Sequence, residues 1–135
     1  TLLPAQVNAG VVFKRTDLPL SDAFKACAGS VGYTQMATSL KSQGYLASTV
    51  EHIMSGLGMD NVTIELDGEE LPITDGSAAP FVFLLQSVGI VDQSAKKKFS
   101  RVLKRIEVSE GDATASLASH DGFKLGYTLE YDHPV

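Results

Sequence analysis

The sequence predicts an α+β fold, from three patterns. Two short segments, Gly10 to Arg15 and Val62 to Leu66, are rich in valine, isoleucine and phenylalanine, which favour pleated backbone. Phe81, Leu84, Leu85 and Val88 recur at i, i+3, i+4 and i+7, the spacing of one apolar helix face. In the tail, Phe123, Leu125, Tyr127, Leu129 and Tyr131 alternate with Lys124, Gly126, Thr128 and Glu130, the period of a half-buried strand.

In chain order, Gly10–Arg15 reads as a strand and 16–25, with Pro19, as a connection. The small residues of 26–40 fit strand or loop equally. A first helix starts at Ser48, because Ser48 and Glu51 match the S-x-x-E capping box, and Gly56 and Gly58 end it early. Val62–Leu66, Asp67-Gly68 and Glu69–Ile73 read as a hairpin, since Asp-Gly suits the two positive-φ positions of a type I′ turn. Pro72 puts the second strand at an edge. The second helix has Ser77 as N-cap, Pro80 in its first turn and Gly89 just past its end. From Phe99 onward the pattern is strand and turn, with turns at Glu110-Gly111-Asp112 and Asp121-Gly122. Apolar periodicity stops between Asp92 and Lys97, which divides the chain into a first α+β domain, 1–92, and the start of a second, 97–135.

Composition narrows the function. The 135 residues are 44% apolar and 20% charged, which fits a globular domain and argues against disorder. A net charge of −5 gives no sign of a nucleic-acid partner. No apolar run approaches the roughly 18 residues of a membrane span. Cys27 is the only cysteine, so no internal disulfide can form, and a reducing, cytoplasmic setting is the natural reading. Cys27 itself reads as a small buried residue. Six of the eleven basic residues lie between Lys96 and Arg105. Such a run is a solvated face or linker, or else a patch facing phosphate or membrane. The chain opens on Thr1 with no signal-peptide pattern, which reads as a fragment with a leading segment missing.

One motif carries chemistry. Ser48-Thr49-Val50-Glu51-His52 sets a carboxylate beside an imidazole, the pair a zinc hydrolase uses to activate water and hold metal. The structural alternative is plain: Glu51 caps a helix and His52 sits on its surface. The two roles of Glu51 compete, because a side chain folded onto the Ser48 N–H is not aimed at water. His52, His120 and His133 are the only histidines, and none shares an H-E-x-x-H spacing, so this chain alone is not expected to complete a zinc site. His120 and His133 read as structural.

The blocks GVVFKRTDL (10–18), STVEH (48–52), GMDN (58–61), ELPITDGSAAPFVFLLQSVGI (70–90), KKF (97–99), EGD (110–112) and DGFKLGYTLEYDHP (121–134) resemble, in order and spacing, the UDP-3-O-acyl-N-acetylglucosamine deacetylase family. These are zinc amidases of lipid A biosynthesis in Gram-negative bacteria. The resemblance implies two similar domains, each a two-layer sandwich of a small mixed or antiparallel sheet backed by helices, with the active site between them. It implies that this chain is the N-terminal portion, inactive alone, and that the missing C-terminal half is needed for a complete site. It assigns His52 as a zinc ligand and Glu51 as the general base. Met36, Ala37 and Thr38 would line the metal site, and Tyr131, where the family usually has Phe, would stack on the nucleotide. Asp75 would accept a hydrogen bond from His52, or would simply open the turn into the second helix. The implied cofactor is Zn2+ and the implied partner a UDP-sugar carrying an acyl chain.

The chain departs from the family pattern in places. Thr74 replaces the usual Met, and Ala113 stands where some members have a basic residue. Between His52 and Asn61 it is about three residues shorter than usual, close to one helical turn. Two other readings stand beside the enzyme: a non-catalytic α+β module, and a self-associating fragment whose unpaired strand edges meet between chains.

Overall fold

The computed structural model describes residues 1–18, 23–34, 38–42, 45–48 (backbone) and 57–130. The chain divides into two compact units, Thr1–Lys96 and Lys97–Val135.

The first unit is built on a four-stranded mixed sheet of β1 (Leu2–Pro4), β2 (Val11–Arg15), β3 (Ala23–Lys25) and β6 (Val62–Leu66), in the order β1-β6-β2-β3. β2 and β6 run parallel, with Phe13 opposite Ile64 and Arg15 opposite Leu66, while β1 and β3 pair antiparallel on the flanks. Alternation then decides the inside. Val62, Ile64 and Leu66 are buried on one face of β6, and Phe13 lies beside them on β2. Phe24 and Leu40 complete this core, with Leu2, Val11, Met59 and Leu71 packed at its margin.

A short 3-10 turn (Ala28–Ser30) leads to a separate antiparallel pair, β4 (Ser39–Ser42) and β5 (Tyr45–Ser48). The helix α1 (Ala79–Val88) follows β6. It buries Phe81 and Leu85 against Leu2, Leu57 and Met59. Leu2 and Met59 touch both clusters and join the helix to the sheet core. The second unit contains one hairpin, β7 (Ile106–Glu110) and β8 (Ala113–Leu117), whose ten residues are all exposed. Its two-residue loop starts with Gly111 at φ 57°, where hairpin turns favour glycine.

The α+β class, the strand near Gly10–Arg15, the strand Val62–Leu66 and the turn at Gly111 match the sequence expectation. So does the end of α1: Gly89 has φ 87° and its N–H donates to the Leu85 carbonyl.

Other expectations are corrected. Glu69–Ile73 forms no strand, and Gly68 is not among the glycines with positive φ, so there is no type I′ hairpin. The reason is that β6 already has β1 on one edge and β2 on the other. The supposed connection 16–25 contains β3. Leu84 and Val88 are exposed, so the apolar face of α1 narrows to Phe81 and Leu85. Cys27 is exposed, its Sγ 3.2 Å from Ser30 Oγ, and that hydrogen bond lowers the thiol pKa. The 123–130 segment, expected as a half-buried strand, has no regular structure; Phe123, Leu125, Tyr127 and Leu129 are exposed and no described strand pairs with them. Residues 99–105 likewise form no strand.

Candidate functional site

In chain order the β4–β5 ladder lies between two of the segments singled out in the sequence. Ser39 pairs with Ser48 there. Thr38 directly precedes Ser39, and the Thr49 to His52 run directly follows Ser48. Thr38 is half-buried. Glu51, His52, Met36, Ala37 and Tyr131 lie outside the described residues, as does the capping box at its Glu51 end.

Further along, Asn61 enters β6 and fixes the loop before β2: its Oδ1 accepts from the Gly10 N–H at 3.0 Å. Gly10 answers by accepting the Val62 N–H at 3.1 Å. The Gly10 backbone has φ 77°, a conformation that glycine adopts without strain.

Asp75 makes the turn into α1. Its Oδ1 accepts from the Ser77 N–H at 2.9 Å and the Ser77 hydroxyl at 2.8 Å. Ser77 Oγ in turn accepts from the Ala79 N–H at 3.2 Å. The Ser77 backbone N–H, then its hydroxyl, hold the Asp75 carboxyl below its ordinary pKa. These bonds are those of the turn-forming role; the partner proposed for Asp75, His52, is outside the described residues. The preceding residue, Thr74, has φ 52°, uncommon for a β-branched side chain, and the Gly76 N–H closes the turn onto the Ile73 carbonyl.

Arg15 received no role from the sequence, and the structure gives it one. It faces the core side of β2 at the end of the ladder and is 5% exposed. Its Nε donates to Asp17 Oδ1 at 2.6 Å and its Nη2 to Asp17 Oδ2 at 2.5 Å, with Glu69 at 3.9 Å. The hydrogen bond to Arg15 lowers the Asp17 pKa, and the same bond raises that of Arg15. Among the described residues no buried side-chain nitrogen or oxygen lacks a partner. The Arg-x-Asp spacing at a strand end was the only signal in the sequence.

The basic run from Lys96 is exposed throughout; Arg105 pairs with Glu107 on β7. Among the described residues no group of three or more His, Cys, Asp or Glu side chains could hold a metal ion. No helix among them is long and apolar enough to cross a membrane.

Comparison with known proteins adds a finding of another kind. The family model described as LpxC, UDP-3-O-acyl N-acetylglycosamine deacetylase, matches residues 1–135. The UDP-3-O-acyl-N-acetylglucosamine deacetylase of Saccharophagus degradans is 52% identical over 138 residues, which cover 100% of this chain and 46% of that protein. The protein of the same name from Stenotrophomonas maltophilia strain K279a is 51% identical over 100% of this chain and 46% of its own length. That of Marinobacter nauticus is 48% identical over 100% and 45%. The chain thus spans about half the length of the curated relatives it matches. Aligning 138 positions with 135 residues leaves at least three positions of each relative without a counterpart here.

Proposed function

Because this chain belongs to the UDP-3-O-acyl N-acetylglycosamine deacetylase family, we propose that it supplies one part of an active site that removes the N-acetyl group from UDP-3-O-acyl-N-acetylglucosamine. The family match across residues 1–135 carries this reading. In the reaction, the oxygen of water bonds to the acetyl carbon, the C–N bond breaks, acetate leaves and the sugar nitrogen takes up a proton. Glu51 is the general base that accepts a proton from the attacking water. His52 is one ligand of a zinc ion. An imidazole beside a carboxylate is a donor set that suits zinc, but one imidazole falls short of the three protein ligands of a catalytic site. Further protein ligands are needed, and no group of three or more His, Cys, Asp or Glu among the described residues supplies them as a set. Zinc, when held, supplies a Lewis acid and an acidified water at the acetyl carbonyl.

Met36, Ala37 and Thr38 border this centre, and the pairing of Ser39, which follows Thr38, with Ser48, which precedes Thr49 in the chain, supports that grouping. Tyr131 stacks on the nucleotide, and Asp75 steadies the start of α1. The proposed setting is the cytoplasm of a Gram-negative bacterium, with lipid A biosynthesis as the process served. The lone Cys27, which leaves no disulfide to form within the chain, supports a reducing compartment. The chain by itself is inactive in this reading.

The test joins this chain to the part of the Saccharophagus degradans relative that it does not span. Glu51→Gln in that hybrid should lower acetate release by about 100-fold or more while bound zinc is retained. Undiminished turnover would refute the role of Glu51, and His52→Ala with full zinc content would refute that of His52.

A second reading is favoured by one observation. In the second unit, β7 and β8 pair only with each other among the described residues, and the alternating apolar side chains of 123–129 are exposed. Such edges and faces promote self-association of the chain. Sedimentation over a concentration series would show dimers or larger species; a monomer throughout would exclude it.

A further inference from the structure

The segment that follows α1 is fastened to the loop between β1 and β2 by a relay of two side-chain amides. Gln93 Nε2 donates to the Ala5 carbonyl at 2.8 Å. Gln93 Oε1 accepts from Asn61 Nδ2 at 2.7 Å. Asn61 Oδ1 accepts from the Gly10 N–H at 3.0 Å. Each amide therefore uses one donor and one acceptor, and the direction of the relay is the same at every step, from the Gly10 N–H to the Ala5 carbonyl. Its two ends lie on the loop between β1 and β2, which is itself folded by a bond from the Ala9 N–H to the Gln6 carbonyl at 3.0 Å. Asn61 sits at the mouth of β6, one of the two inner strands.

We infer that Asn61 and Gln93 form a clasp that ties the segment 89–96, the end of the first unit, to the β1–β2 loop and to the entry of β6. This goes beyond the deacetylase reading and does not rest on it. A glutamine in an exposed segment ordinarily loses rotamer freedom for little return. Here Gln93 links two elements that the sheet already holds still, so its second bond is made at little further entropic cost. Hydrogen bonds arranged in one direction also polarise one another. Asn61 and Gln93 are thus positioning residues, and the clasp is specific to amides: a carboxylate at 93 keeps the acceptor for Asn61 but faces the Ala5 carbonyl without a donor.

The experiment is NMR on the 135-residue chain. The side-chain amide protons of Gln93 should exchange with water about fivefold more slowly than those of exposed Gln86, the effect of one ordinary hydrogen bond. Asn61→Ala should reduce that difference. In Gln93→Ala and Gln93→Glu, backbone order parameters over 91–95 should fall from about 0.85 toward 0.6, while those of β6 stay unchanged. Equal exchange at Gln93 and Gln86 would overturn the inference. So would unchanged order over 91–95 in Gln93→Ala, or an equal loss of order throughout β6.

Discussion

Arg15 grips Asp17 through two parallel N–H···O bonds, at 2.6 and 2.5 Å, while its own side chain is almost wholly enclosed. This fork fixes the planar guanidinium at the end of β2 and neutralises a charge on the core side of the sheet.

The pair makes stability depend on acid. The hydrogen bond from Arg15 holds the Asp17 carboxyl below its usual pKa, so the folded chain binds that proton less readily than the unfolded chain. The contribution is present above the ordinary carboxylate range, near 4, and is lost as pH falls through the depressed folded value. Asp17→Asn should therefore be less stable than the native chain at pH 7, and the gap should close toward pH 2. Denaturant midpoints at a series of pH values measure this; a gap of constant size down to pH 2 would remove the pair as its cause. Asp17→Ala should be worse at pH 7 than Asp17→Asn, because it removes both oxygens of the fork.

Ile64 sits at the centre of the mixed sheet, 2% exposed, with Phe13 opposite it on β2. Ile64→Ala should lower unfolding free energy by about 2–5 kcal/mol, from lost burial and the cavity left behind. Ile64→Val should cost about 1 kcal/mol. Urea unfolding followed by circular dichroism separates the two. Comparable truncation at Phe83, which is 71% exposed, should be near neutral.

Thr74 is held at φ 52°, a region in which a β-branched residue is strained by roughly 1 kcal/mol or more. Asn tolerates that region, so Thr74→Asn should raise stability by about 1 kcal/mol. A thermal midpoint that stays level or falls would show that the Thr74 side chain earns its place by contacts rather than tolerating strain.

Local signals were legible where local physics decides. The β-favouring run at β2, the glycine that ends α1 and the two-residue loop at Gly111 each depend on residues within a few positions, and all three appear as the sequence indicates. The Asp67-Gly68 hairpin failed for a non-local reason: two strands that come earlier in the chain occupy both edges of β6. β3 was hidden because three residues are too few to show a period, and Phe24, its buried anchor, is the one large apolar residue in it. Of the candidate site, Thr38 and Asp75 fall among the described residues. The Asp75 turn follows from its spacing to Ser77, whereas the enclosed Arg15 carries no sequence period that distinguishes it from a surface arginine. The Asn61–Gln93 relay spans 32 positions, beyond the reach of any local pattern.

The parallel ladder of β2 and β6 has a consequence for how this polypeptide is made. One inner strand of the sheet, β6, is the last of its four to be synthesised, and it slots between partners that precede it by dozens of residues. Until Leu66 has left the ribosome, β1 and β2 have no strand between them, and Phe13 and Phe24 have no Ile64 to pack on. Closure of so long an intervening loop makes this a slow-folding topology, and during that interval the nascent chain is at its most vulnerable to capture by chaperones or by its own neighbours.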